Sequence, residues 1–342
     1  MSFQPGNPSN QVAVPRDLAG RWGRHVRTAV LILTGMMCAY VATAIWSGRG
    51  DALRAIRGMS LGAPLTVVGM MLLGLALRAC RWHYYVCRLN WNVPLHRSLC
   101  VFLASFAFTA TPGKAGEAVK SVLLHDRDGV PPTESLGVLL IERLGDLIAV
   151  LILAMGGLAL LADAWVYFLM CALLVGGMAL FVGNRSIYRP LLLYVGRVPR
   201  LSGIVDKVIR LLDVGRTLLR PFPFLVGVGI AAIAWGCEAW GFHVLIRHFG
   251  VNEHVTISFS VYGLATLIGA LSALPGGLGS CEAMMIVLLS RLGMPASTAA
   301  LPVVLFRFCT LWLGSLIGLV FMLGWLSVRV PVPAENTSEH SS

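Results

Sequence analysis

Thr111-Pro112-Gly113-Lys114-Ala115-Gly116-Glu117 and Leu274-Pro275-Gly276-Gly277-Leu278-Gly279-Ser280-Cys281-Glu282 are two copies of one pattern, Pro-Gly-x-x-Gly with a glutamate one or three residues later. Each copy follows an apolar run and precedes a helical pattern. Proline and glycine interrupt a helix, and a carboxylate is costly in hydrocarbon, so the pattern adds nothing to the stability of a membrane helix. A charged helix break that occurs twice is the device by which membrane transporters build a site near the bilayer midplane.

The rest of the chain agrees with a membrane setting. Of its 342 residues 57% are hydrophobic and 13% charged, against about 25% charged in soluble domains. Mean hydropathy is +0.77. The net charge of +11 comes from arginines beside apolar spans, which reads as topology signals and contacts to anionic lipid headgroups rather than nucleic-acid binding. The eight cysteines contain no Cys-x-x-Cys and lie mostly within apolar runs, so they are read as small hydrophobes, with no metal site and no cofactor expected.

Spans are expected at about 28–47, 60–80, 138–162, 164–183, 221–246 and 298–326. Residues 1–27 and 327–342 read as disordered polar ends, and 28–326 as one all-α polytopic membrane domain of six to eight helices. Arg21, Arg24 and Arg27 precede the first apolar run. That run contains Ala42-Thr43-Ala44, a passable cleavage site, but its length favours a retained helix. Arg81, Trp82, Tyr84, Tyr85, Arg88, Trp91 and Arg97 read as an interfacial link after the second span. Between Asn184 and Arg220, Leu201, Ile204, Val205, Val208, Leu211, Leu212 and Leu219 recur at helical spacing among eight basic residues. This reads as a basic amphipathic helix on the cytoplasmic leaflet, with a solvated linker helix as the plainer alternative.

The positive-inside rule places the N-terminal flank and 184–220 together in the cytoplasm. Six spans satisfy this only if the two Pro-Gly regions are re-entrant hairpins entering from opposite sides, as in an inverted repeat. Arg49, Arg54 and Arg57 then fall outside, against the rule.

In the first break, Pro112 ends a helix, Gly113 and Gly116 allow a close turn, and the next helix points its free N–H groups into the gap. Lys114 adds a positive charge, and Lys120 follows six residues later. This arrangement fits an anionic headgroup such as a phosphate, with Glu117 either part of the site or complementing the helix dipole. The second break, Pro275, Gly276, Gly277 and Gly279, carries Glu282 without a lysine, and reads as a gate or a carboxylate partner. Glu142, Arg143 and Asp146 open a span, with Glu142 and Asp146 on one face. Lys114, Lys120 and Arg143 are the candidate cations for those two carboxylates. Glu238 and Arg307 lie deep in spans. Pairing of Glu238 or Glu282 with Arg307 would relieve their burial. Glu142, Arg143, Asp146, Glu238 and Arg307 form the expected polar path. No nucleophile turn, His-Glu-x-x-His motif or strand-linked phosphate loop is present, so no catalytic residue is assigned.

At these motifs, together with Glu142-Arg-Leu-Gly-Asp146, Glu238 and Arg307, the chain over about 25–326 resembles the lysylphosphatidylglycerol synthase transmembrane (flippase-like) family. That family includes the N-terminal membrane half of the multiple peptide resistance factor and many stand-alone bacterial and archaeal proteins. The resemblance implies translocation of a phospholipid or polyprenyl-phosphate type lipid across a bacterial inner membrane. The sequence contains no aminoacyl-transferase region, so lysyl transfer is not expected. The leading expectation is therefore a lipid flippase whose partners are membrane lipids. The rivals are a membrane enzyme acting on lipid-linked sugar or phospholipid, or an accessory subunit of a lipid-modifying complex. Self-association stays open.

Overall fold

A computed structural model describes residues 60–109, 111, 115–155 and 164–327, together with Gly35. The expected first span at 28–47, both terminal segments, and Pro112, Gly113 and Lys114 lie outside the described residues.

The described chain is helical throughout and falls into two units of the same plan. The first begins with α1 (Gly62–Arg88) and continues into the half-helix α2 (Leu95–Ser105), which ends in a 3-10 turn at Phe106–Phe108. After the break, a 3-10 turn at Ala115–Ala118 leads into α3 (Val119–Asp128), followed by α4 (Pro132–Ala154). The connector is α5 (Ala164–Gly183), α6 (Arg185–Val195) and α7 (Ser202–Leu218). The second unit repeats the order with α8 (Pro221–His248), the half-helices α9 (Val255–Leu271) and α10 (Ser280–Arg291), and a last span. That span is α11 (Ala296–Arg307), a π turn at Phe308–Trp312, and α12 (Leu313–Ser327).

Boundaries follow local chemistry. Pro132 and Pro221 stand in the first turns of α4 and α8, where a missing N–H is harmless. Gly129 closes α3 with a left-handed φ of 68°. Among the described residues three helices are long and apolar enough to cross a bilayer, Gly62–Arg88, Pro221–His248 and Thr298–Ser327, with a fourth if the bent pair Phe168–Gly183 and Arg185–Val195 counts as one span. The first is longer than its apolar run suggests. Arg81, Trp82, Tyr84 and Tyr85 continue α1 instead of forming an interfacial link, because the charge of Arg81 is met inside the protein.

The Pro-Gly regions are true hairpins. In the first, Arg97 pairs with Asp128, and a Cβ on Gly116 would meet the carbonyl of Phe108, so α2 and α3 run antiparallel. In the second, Gly269 faces Cys281 and the Ser272 hydroxyl is 2.8 Å from that of Ser280.

The units are inverted relative to each other. Along the α1–α8 contact, Gly241 faces Val67, Gly74 faces Ala234 and Gly227 faces Tyr85. One helix therefore descends as the other rises, and the hairpins hung from their C-terminal ends enter from opposite ends of the bundle. Each hairpin leans on the last span of the other unit, α9 on α4 and α2 on α12.

The apolar stripe of α7 is also internal. Val205, Leu212 and Leu218 are buried, and Gly137 of α4 sits against the backbone of Leu211. The stripe read from the sequence is real, and its Val205 to Leu219 part packs on α4, while Leu201 and Ile204 at its start are exposed. Glycine at position 137 permits this approach, since a Cβ there would lie 2.5 Å from a carbonyl oxygen.

Candidate functional site

Both hairpin tips are held by the same clamp. Arg143 Nη2 donates to Glu117 at 2.7 Å, and Arg307 Nε donates to Glu282 at 2.6 Å. Arg143 is the twelfth residue of α4, and Arg307 the twelfth of α11. The first tip is tightened by Thr111, whose hydroxyl donates to the Phe108 carbonyl and accepts from the Gly116 N–H. The second tip turns through left-handed glycines at 276, 277 and 279, a conformation that L side chains resist. Glu282 serves two purposes there. One oxygen accepts the free N–H of Gly279 at 2.7 Å and the other accepts Arg307, which also donates to the Gly276 carbonyl. Helix capping and ion pairing are thus one arrangement.

Where α1 crosses α8, Arg78 meets Glu238 at 2.5 Å. The other Glu238 oxygen accepts the Tyr262 hydroxyl at 2.6 Å, and the guanidinium lies over Trp235 at 4.4 Å. Two further pairs belong to the first unit alone. Asp146 accepts from Trp235 and pairs with Arg81 at 2.8 Å and Arg143 at 3.6 Å. Lys120 pairs with Glu142 and sits over the rings of Trp82 and Phe102. The corresponding places in the second unit, three residues beyond Glu282 and one before Arg307, hold the buried Met285 and Phe306.

These elements enclose a cavity of about 430 Å³. Arg78, Arg143, Asp146, Glu238 and Arg307 line it, beside Gly276, Gly277, Trp235, Tyr262 and Thr310. Leu174, Leu271 and Leu274 also line it and are exposed on the outer surface. The cavity wall is thus largely apolar, with the charged cluster on part of it and exposed leucines on its outer side.

Of the residues singled out from the sequence, Arg143, Asp146, Gly276, Gly277, Glu238 and Arg307 converge here. Glu117 and Glu282 stand behind the arginines as their partners, and Gly116 and Gly279 shape the turns. Lys120 and Glu142 do not line the cavity; both are buried and pair with each other. The carboxylates of Glu142 and Asp146 share a helix face yet have different cations. Arg307 takes Glu282, leaving Glu238 to Arg78. Sequence reasoning missed Arg78, Arg81, Trp235 and Tyr262. An arginine inside the apolar run of α1 was the available signal for Arg78.

The cluster is electrically balanced. Arg78, Arg81, Lys120, Arg143 and Arg307 face Glu117, Glu142, Asp146, Glu238 and Glu282 in short pairs. Unpaired ions at such depth would be prohibitively desolvated, whereas matched pairs are tolerable. Among the described residues no group of three or more His, Cys, Asp or Glu side chains could hold a metal ion.

Paired inverted hairpins around a buried, charge-balanced cavity define a multi-pass α-helical membrane protein of the kind built around an internal polar site. The chain belongs to the family of the lysylphosphatidylglycerol synthase TM region, whose sequence model matches residues 26–318. It is 25% identical over 304 residues to a UPF0104 membrane protein of Methanothermobacter thermautotrophicus, covering 82% of this chain and 89% of that one. It is also similar to the phosphatidylglycerol lysyltransferase of Bacillus subtilis, 23% identical over 105 residues, or 31% of this chain and 12% of that enzyme.

Proposed function

We propose that the protein is a lipid transporter of the inner membrane, moving an anionic phospholipid or polyprenyl-phosphate type lipid between leaflets, with its N-terminus in the cytoplasm. The observation that carries this reading is the cavity. Three arginines face a space large enough for a headgroup, and exposed leucines at its rim leave the hydrocarbon chains a place in the bilayer. Because every arginine there already has a carboxylate, an entering phosphate competes with that carboxylate for the guanidinium. Guanidinium groups bind phosphate with two parallel hydrogen bonds, so this exchange is chemically even-handed. A carboxylate released from Arg143 or Arg307 loosens the hairpin tip that it clamps. Headgroup entry and hairpin movement are coupled in this way. Lys114, at the first tip, is proposed to attract the headgroup.

The test follows headgroup exposure of a labelled anionic lipid in proteoliposomes. Translocation by the wild type that is lost in Arg307→Ala and reduced in Lys114→Ala is the expected result. Unchanged translocation in Lys114→Ala and Glu282→Gln means the site is wrong. A lipid product of altered mass would point to an enzyme instead.

A further inference from the structure

The connector carries an exposed surface that the transport reading does not use. Helix α5 ends at Gly183 and α6 begins at Arg185, with an 80° bend between Phe168–Gly183 and Arg185–Val195. Asn184 makes the bend stable, since its side chain accepts the Ser186 N–H at 3.1 Å and so caps α6. If α5 stands across the bilayer, a bend of that size lays α6 nearly in the membrane plane.

Three faces of α6 have three different characters. Tyr188 is fully buried in the core, and its hydroxyl donates to Asp213 of α7. Ile187, Leu191 and Tyr194 follow one another at helical spacing and are exposed, and Val198 extends the stripe beyond the helix end. On the third side stand Arg185 and Arg189, joined by Arg197 and Arg200 in the following turn. No acidic residue occurs from Asn184 to Val205. Asp213 partners Arg185 at 3.2 Å, while among the described residues Arg189, Arg197 and Arg200 have no carboxylate.

We infer that α6 and the turn after it are an interfacial anchor that docks on a leaflet rich in anionic lipid. The apolar stripe supplies insertion, and the flanking arginines supply charge complementarity to negatively charged headgroups. This differs from the position suggested by the hydrophobic spacing of 201–219, which belongs to α7 and is used against α4. A contiguous apolar stripe flanked only by cations matches an anionic membrane surface better than water or an ordinary protein partner.

The experiment places an environment-sensitive fluorescent amino acid at Leu191, or separately at Arg189, in the full chain. The protein is then reconstituted in nanodiscs of phosphatidylcholine, with or without phosphatidylglycerol. With phosphatidylglycerol, the probe at 191 is expected to be quenched by brominated acyl chains. Aqueous acrylamide should quench it roughly three-fold less than the probe at 189. Removing phosphatidylglycerol should raise acrylamide quenching at 191, and the triple variant Arg189→Gln, Arg197→Gln, Arg200→Gln should no longer respond to lipid charge. Equal acrylamide quenching at 191 and 189 would show a solvated surface and overturn the inference. Protection at 191 from both quenchers would show that protein covers the stripe, either a second copy or chain outside the described residues, and would also overturn it. Acyl-chain quenching independent of phosphatidylglycerol would remove the anionic preference. None of these readouts depends on transport.

Discussion

Arg78 and Glu238 stand 160 residues apart in sequence, lie at similar depths of α1 and α8, and form a 2.5 Å ion pair where the two helices cross. The same offset separates Gly74 from Ala234, which touch on the same helix–helix contact. Equivalent helices of the two units thus meet each other at the crossing. One unit contributes the cation and the other the anion.

Removal of either partner takes the nearest countercharge from the other among packed helices. Arg78→Ala or Glu238→Ala is expected to lower stability by about 3–5 kcal/mol. The exchanged double variant Arg78→Glu, Glu238→Arg should recover more than half of that loss. Thermal unfolding in detergent, followed by tryptophan fluorescence, provides the comparison; no recovery would mean that Trp235 and Tyr262 fix the orientation of the pair.

Lys120 and Glu142 offer the opposite case. The second unit fills the matching places with Met285 and Phe306, so an apolar pair is compatible with this packing. Lys120→Met alone should destabilise by about 3–5 kcal/mol, whereas Lys120→Met with Glu142→Leu should be neutral or gain about 1–4 kcal/mol. Headgroup translocation by the double variant should match the wild type, because neither residue lines the cavity.

The second hairpin depends on glycine at 277. Its φ is +66°, and a Cβ would lie 3.2 Å from Gly269 of the incoming half-helix. Gly277→Ala should cost about 1–3 kcal/mol from backbone strain and separate α9 from α10. Faster hydrogen exchange at Gly279–Glu282 is the expected signature, with α1 and α8 unaffected.

Asp213 holds two partners of unequal exposure, the buried Tyr188 hydroxyl at 2.5 Å and the exposed Arg185 at 3.2 Å. Asp213→Ala strands a buried hydroxyl and should destabilise by about 1–3 kcal/mol. Arg185→Gln should change stability by less than about 1 kcal/mol, an effect that moderate salt suppresses. Chemical unfolding of the two variants at low and high salt separates these cases.

The sequence alone determined the helical membrane class, the two hairpins and most of the ionisable residues of the site. Those features are local: hydrophobic runs, Pro-Gly breakers and charges within apolar stretches act through a few neighbouring residues. The partners of those charges were a different matter. Glu142 and Asp146 share a face but diverge to Lys120 and Arg81, and Glu238 takes Arg78 rather than Arg307. Arg81 read as an interfacial anchor because nothing nearby in sequence could meet its charge. The stripe on α7 read as membrane-facing because periodicity shows that a helix has an apolar face without showing what covers it. Only the tertiary structure decided these questions, since each depends on which segments lie side by side after α1 and α8 pack antiparallel, and burial makes an ion's partner a property of that neighbourhood.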